Sequence, residues 1–166
     1  MTVVHVRMDY RLIHGQVLVS WNTSLKCNRI MVANDNVAKD PLQVTLLKSV
    51  APVGSNVSVL STVDAVAYCN SPEGQAERIF LIVKYPEDCL ALINGGLEIP
   101  FLNLGNQAFT RGAKKLSKTV YLNESNVKAL KEIHEKGYTI TCRMMPNDPD
   151  NEYWPVIAKS FPEWLS

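Results

Sequence analysis

No apolar run in this sequence approaches the roughly 18 residues needed to cross a bilayer. Direct membrane insertion is therefore not expected, and any meeting with a membrane has to go through a partner. The N-terminus has no basic segment followed by an apolar one, so a secretory signal is not expected either. An excess of one charge is also missing. The 17 Lys and Arg stand against 16 Asp and Glu, for a net charge of +1. That leaves no basic field for nucleic acid and no acidic tail. The four cysteines, at positions 27, 69, 89 and 142, form no C-x-x-C, and none lies close in sequence to a histidine. A metal site has no support in that spacing, no cofactor is expected, and the four read as reduced thiols of a cytosolic protein.

The nucleotide cradles G-x-x-x-x-G-K-[ST] and G-x-G-x-x-G are absent too. A nucleotide-dependent kinase or dehydrogenase thus lacks its usual phosphate loop. Without a G-x-S-x-G elbow, Ser61, Ser71 and Asp64 have no setting for a serine-hydrolase triad. There are no internal repeats, low-complexity segments or interdomain linkers, and 166 residues favour one domain over 1–166.

What is present is an alternation. Short apolar runs recur at Val3–Val6, Ile30–Ala33, Val57–Leu60, Ile79–Val83, Ile99–Leu104, Thr119–Leu122 and Tyr138–Met144. They are rich in β-branched residues, as strands buried on both faces are. Most intervening segments have helical spacing. Val17, Trp21 and Leu25 share a face. Asp40-Pro41 opens a helix carrying Val44, Leu47 and Val50. Thr62 is placed to cap a helix with Val63, Val66 and Ala67. Pro86, Glu87 and Asp88 suit a first turn, followed by Leu90, Ile93 and a stop at Gly95-Gly96. Asn123 and Glu124 open a helix with an inner stripe of Val127, Leu130 and either Ile133 or His134, and Gly137 ends it. Such alternation predicts an α/β fold, a mostly parallel seven-stranded sheet with helices on both faces.

In such folds ligands bind beyond the carboxyl ends of the strands. Four loops are expected there: Asp9–His14, Asn34-Asp35, Lys84-Tyr85 and Gly105-Asn106. The first holds Asp9, Arg11 and His14 within six residues, with Gly15 at a helix start. Backbone N–H groups at a helix start lack partners and favour an anion. A neutral imidazole at His14 can take a phosphoryl group on a ring nitrogen. Arg11 offers that group a planar, permanently charged fork, and Asp9 can orient Arg11 or hold the imidazole. Gly15, Gln16, Asn34, Asp35 and Lys84 are the candidate phosphate- or substrate-binding residues of the converging loops. On the residues alone a second reading stays open, in which His14 only caps or satisfies a loop. His5, within the first strand, and His134, late in a helix, read as structural. Gly105–Lys118 carries Arg111, Lys114, Lys115 and Lys118 without helical spacing, and both a solvated loop and a basic docking surface or lid remain open. The tail from Asp148 to Ser166, with Tyr153, Trp154, Phe161 and Trp164, is expected to pack as a short helix, with a partner contact as the alternative.

Arg7-Met8-Asp9-Tyr10-Arg11-Leu12-Ile13-His14-Gly15-Gln16-Val17 closely resembles the R-x-D-x-R-L-I-H-G-Q-V pattern of one family. That family is the IIB components of the mannose/fructose/sorbose type of the bacterial sugar phosphotransferase system. Trp21 matches the tryptophan that follows the pattern. The similarity continues at Val32–Asp35, Val37–Pro41, Asn94–Gly96, Asn103–Asn106, Leu116–Val120, Glu135–Gly137 and Met145-Pro146, and so spans nearly the whole chain.

The resemblance implies a largely parallel seven-stranded sheet and a cytoplasmic phosphocarrier, a protein-N(π)-phosphohistidine–sugar phosphotransferase. Such a protein takes a phosphoryl group from phospho-IIA. It hands the group to a sugar moving through the membrane components IIC and IID. By the same resemblance the group rests on His14, with Arg11 assisting and Asp9 supporting the site. Tyr10 departs from the acidic residue common there and removes one loop charge. Gly105-Asn106, with Ala33-Asn34-Asp35 and Asp40-Pro41-Leu42-Gln43, looks more like the N-acetylgalactosamine/galactosamine type than the mannose type. The alternative function is a regulatory or interaction module whose partner binding is set by phosphorylation of His14.

Overall fold

In the computed structural model, which describes residues 2–166, the apolar runs become strands that lie in parallel. Val3–Asp9 (β1), Arg29–Ala33 (β2), Asn56–Leu60 (β3), Ile79–Val83 (β4), Leu102–Asn106 (β5) and Ile140–Cys142 (β8) make one six-stranded sheet in the order β3-β2-β4-β1-β5-β8. Every pairing in it is parallel. The remaining run contributes Tyr121–Leu122 (β7), which pairs antiparallel with Lys114–Lys115 (β6). The sequence-based count of seven strands thus resolves into six plus a small hairpin. A two-residue strand beside a basic partner gives no periodic signal of its own.

Alternation along the central strands feeds two cores. In β4, Ile79, Leu81 and Val83 enter one cluster, and Phe80 and Ile82 enter the other. All five are fully buried. Each such side chain contributes on the order of 2 kcal/mol. In β1, Val6 and Met8 join the first cluster while His5, Arg7 and Asp9 take the opposite pleat positions. Val3 also sits in the first cluster, because the register slips between Val3 and His5.

Helices cover both faces. Gly15–Leu25 (α1) packs Leu18 and Trp21 into the second cluster. Asp35–Ala38 (α2) and Pro41–Val50 (α3) follow β2. Val37 and Leu47 reach the same cluster, whereas Val50 stays exposed. Thr62–Asn70 (α4), Pro72–Gln75 (α5), Pro86–Asn94 (α6), Glu124–Glu135 (α7) and Trp154–Ser160 (α8) complete the helical set. Residues of α4, α6, α7 and α8 form the first cluster with the sheet. Ser61, not Thr62, caps α4, because its hydroxyl is the one that accepts from Asp64 N–H. Asn123 and Asn126 form a reciprocal cap at α7, and Val127, Leu130 and Ile133 are its buried stripe. The tail packs as expected. Ile157 and Phe161 are buried, and Phe161 stacks on Trp164 at 5.1 Å. The cysteines are free; Cys69 and Cys89 are buried, Cys27 and Cys142 half-buried. Burial pushes the thiols of Cys27 and Cys69 up to about 11, and Cys89 higher still.

β1 is followed by α1 on one face, and neighbouring β4 by α6 on the other. The loops after β2, β4, β1 and β5 all leave the carboxyl ends of parallel strands, the end at which such folds bind ligands. Among the described residues no helix is long and apolar enough to cross a membrane.

Candidate functional site

β1 delivers Arg7 and Asp9 to this end of the sheet, and the chain then turns. Leu12 N–H donates to the Asp9 carbonyl at 2.9 Å, and Leu12 takes a left-handed φ of 62°. A leucine there costs on the order of 1 kcal/mol. The conformation persists because Leu12 and Ile13 are buried in the α1-side cluster. Pinning those two inward leaves Arg11 part-exposed and His14 exposed. His14 is the residue before α1, with extended backbone, and its imidazole makes no cap bond. Gly15 follows at φ +45°, which a side chain would strain although the space around it is open. Gln16 is exposed, and the first turn of α1 holds no acidic residue to offset its partial positive charge.

The Asp9 carboxylate is 4% exposed and organises the loop. Its Oδ1 accepts from Arg11 N–H at 3.0 Å and from Arg11 Nε–H at 3.1 Å. Its Oδ2 accepts from Arg11 Nη2–H at 3.1 Å and from Arg7 Nη2–H at 3.5 Å. The Arg11 fork is therefore held edge-on by two parallel hydrogen bonds, and its Nη1 has no partner among the described residues. Tyr10, 37% exposed, ties the loop to β5 through its N–H, which donates to the Asn106 carbonyl at 3.0 Å.

The loops after β2 and β4 meet separately, around Asp88. Asp88 accepts from Asn34 Nδ2 at 3.0 Å, from Lys84 N–H at 3.1 Å and from Tyr85 N–H at 3.0 Å. Burial raises its carboxyl above the ordinary range, and these three donors work against that. Asn34 Oδ1 accepts from Val37 N–H at 2.9 Å, so both ends of that amide are engaged within the protein. Asp35 accepts from Thr62 N–H and Oγ1–H at 2.8 and 3.0 Å. The Lys84 ammonium lies 5.7 Å from the Tyr85 ring centre. The structure thus brings Asp9 to Arg11, and Asn34 to the Lys84 backbone through Asp88. It turns Asp35 toward the start of α4.

Sequence reasoning missed the support beneath the loop. Arg7 is fully buried, and Trp21 Nε1–H donates to the Met144 carbonyl at 2.9 Å. The Arg7 and Arg143 guanidinium carbons lie 5.5 and 5.0 Å from the Trp21 ring centre. Two signals were available: an arginine in an apolar strand, two positions before Asp9, and its place at the head of the R-x-D-x-R-L-I-H-G-Q-V pattern. His5 lies deeper, 4.5 Å from Trp21 and 4.9 Å from Phe101 between ring centres, and neither of its nitrogens has a hydrogen-bond partner among the described residues. Burial, helped by Arg7 and Arg143, pushes it down to about 3, so it is a neutral core residue. Of the basic loop set, Lys114 is drawn to the C-terminal segment, donating to Glu163 at 2.6 Å and lying 4.7 Å from the Trp164 ring centre.

The family model described as "PTS system sorbose subfamily IIB component" matches residues 3–163. The sorbose-specific EIIB component of Lacticaseibacillus casei is 34% identical over 161 residues, covering 97% of this chain and 98% of that protein. The mannose-specific EIIAB component of Escherichia coli K12 is 33% identical over 159 residues, 96% of this chain but 49% of that longer protein. Among solved structures, the IIBSor domain of the sorbose permease from Klebsiella pneumoniae superposes with a TM-score of 0.91 at 34% identity, covering 96% of this chain and 98% of that one.

Proposed function

The chain belongs to the sorbose subfamily of IIB components of the sugar phosphotransferase system (PTS), and from that membership we propose that His14 is its phosphoryl relay. A PTS IIB component is a phosphotransferase of sugar uptake. The finer chemistry is carried by one observation. An exposed imidazole with no cap bond stands at the start of α1, three residues after a guanidinium whose Nε edge is held by Asp9 and whose Nη1 has no partner among the described residues.

In the first step a lone-pair nitrogen of neutral His14 attacks phosphorus. The P–N bond to a phosphohistidine of IIA breaks, the donor nitrogen keeps the electron pair, and one proton passes in net from the acceptor ring to the donor ring. In the second step a sugar hydroxyl oxygen attacks phosphorus, the P–N bond to His14 breaks, and the hydroxyl proton ends on the imidazole. The transferring group is loosely bonded to both sides, so catalysis consists of positioning and of neutralising its oxygens. Arg11 Nη1 and the first N–H groups of α1 supply that neutralisation. Asn34, Asp35 and Lys84 shape the neighbouring loops, and their hydrogen bonds within the protein give them a structural role in this reading.

IIA as donor is supported by the mannose-specific relative, whose name joins A and B in one chain. The acceptors are the IIC and IID membrane components with their sugar, at the cytoplasmic side. Identity does not pick the sugar, since sorbose- and mannose-specific relatives stand at 34% and 33%. The Ala33–Asp35 and Asp40–Gln43 stretches favour an N-acetylgalactosamine or galactosamine substrate.

The test is intact mass under non-acidic conditions after incubation with phosphoenolpyruvate, the general PTS proteins and IIA. One added phosphoryl group on the native chain and none on folded His14→Ala is expected. A phosphorylated His14→Ala protein would place the relay elsewhere.

A further inference from the structure

Arg7 lies under the loop and is 2% exposed. Its guanidinium is held on several sides. Nη1–H donates to the Arg143 carbonyl at 2.9 Å, and Nη2–H reaches Asp9 Oδ2 at 3.5 Å and the Met144 sulfur at 3.7 Å. Trp21 flanks it, and β5 presses on it at Gly105. A Cβ built on Gly105 would stand 2.2 Å from Arg7 Cζ, so only glycine lets that backbone lie against the guanidinium. The Arg143 carbonyl is itself fixed, because Asn103 donates to it through Nδ2 at 3.1 Å and accepts from Arg143 N–H at 2.9 Å.

A buried arginine is unfavourable unless paired, and the one charged partner of Arg7 among the described residues is Asp9. The charge count explains the arrangement. Asp9 with Arg11 alone is neutral and offers little to a dianionic phosphoryl group. Arg7 makes the trio +1, and a charge buried this deeply is weakly screened by salt.

We propose that Arg7 is a positioning residue for phosphoryl transfer: by holding Asp9 from below it fixes the Arg11 fork and gives the Arg7–Asp9–Arg11 cluster its net positive charge. Buried as it is, Arg7 acts through Asp9 and Arg11, without touching the phosphoryl group. This role rests on the His14 relay.

The experiment is single-turnover transfer from phospho-IIA to the full chain over a range of donor concentrations. Native protein, Arg7→Met, Arg7→Lys, Arg11→Ala and the Arg7→Met/Arg11→Ala double variant are compared. Arg7→Met is expected to lower the maximal rate about 10- to 100-fold, with the half-saturating donor concentration within about twofold. Arg7→Lys restores part of the rate, because it returns the charge without the fork. In the double variant the two losses do not multiply, as acting through a shared partner requires. The Arg11 Nε–H donates to Asp9 at 3.1 Å, so its resonance is expected to be visible in the native protein and to disappear in Arg7→Met. A purely structural arginine would lower the melting temperature and leave these readouts alone.

A folded Arg7→Met with native maximal rate, or losses that multiply while the Arg11 resonance persists, overturns the role. If Arg7→Met does not fold, Arg7→Lys decides in the same way, since native rate and an unchanged Arg11 resonance in that variant reject it. A native chain that gains no phosphoryl group overturns the relay and this role together, whereas active Arg7 variants beside an active native chain overturn this role alone.

Discussion

His5 makes the chain acid-sensitive in a way that can be calculated and isolated. Its imidazole is fully buried among Trp21, Phe80 and Phe101, and its pKa falls from the ordinary 6.5 to about 3. The unfolded chain takes up a proton below pH 6.5, and the folded chain does not until near pH 3. The unfolded state therefore binds more protons throughout that window. Stability is complete above 6.5 and declines as pH falls, by about 1.4 kcal/mol per pH unit. Between pH 8 and pH 5 the loss from this one residue is about 2 kcal/mol. His5→Leu removes the titration and keeps a side chain of similar volume. Its packing cost is the same at both pH values and cancels in the difference. Carboxylates titrating in the same window cancel as well. Urea unfolding of both proteins at pH 8 and pH 5 measures the quantity directly. The native protein should lose about 2 kcal/mol more than His5→Leu between the two pH values. Equal losses would mean that His5 is protonated within the fold, and the account of a dry, neutral ring among aromatics would be wrong.

Three further outcomes follow from contacts at the site. Gly105→Ala drives a methyl group into a pinned guanidinium, and thermal unfolding should show a loss of about 1–3 kcal/mol; an unchanged melt would show that Arg7 is free to move. Asp88→Ala strips the acceptor from Asn34 Nδ2 and from the Lys84 and Tyr85 N–H groups, for an expected cost of about 2–3 kcal/mol by urea unfolding, part of which Asp88→Asn should recover. Trp21→Phe loses the donor to the Met144 carbonyl and the indole face beside Arg7 and Arg143. A loss of about 1–2 kcal/mol is expected, with α1 amides exchanging faster with solvent than in the native chain.

Much of the fold was legible because its signals are local. β-branched runs, Pro41 and Pro86 in first turns, and the Asn123 cap announce their elements within a few residues. The miss at Thr62 is one position, since adjacent Ser61 and Thr62 both carry hydroxyls and only side-chain direction shows that Ser61 accepts from Asp64. The hairpin of β6 and β7 was illegible because its first strand is Lys114-Lys115. Asn34 and Asp35 read as ligand-facing because the sequence shows no long-range partner for a polar residue at a strand end. Besides the Val37 N–H that Asn34 caps, their partners lie 54 and 27 residues away, at Asp88 and Thr62.

The candidate site divides along the same line. The order Asp9, Arg11, His14, Gly15 is written in the chain, and with two apolar residues to bury, the loop has little choice but to present Arg11 and His14 outward. Nearest-neighbour spacing determines this much, because it acts before any strand has found its partner. The charge of the site was decided only by the tertiary structure. Placing β1 between β4 and β5 brings the Arg143 carbonyl, 136 residues away in sequence, to Arg7 and lays Gly105 against the same guanidinium. A buried ion finds its partners through strand order, which no local pattern encodes.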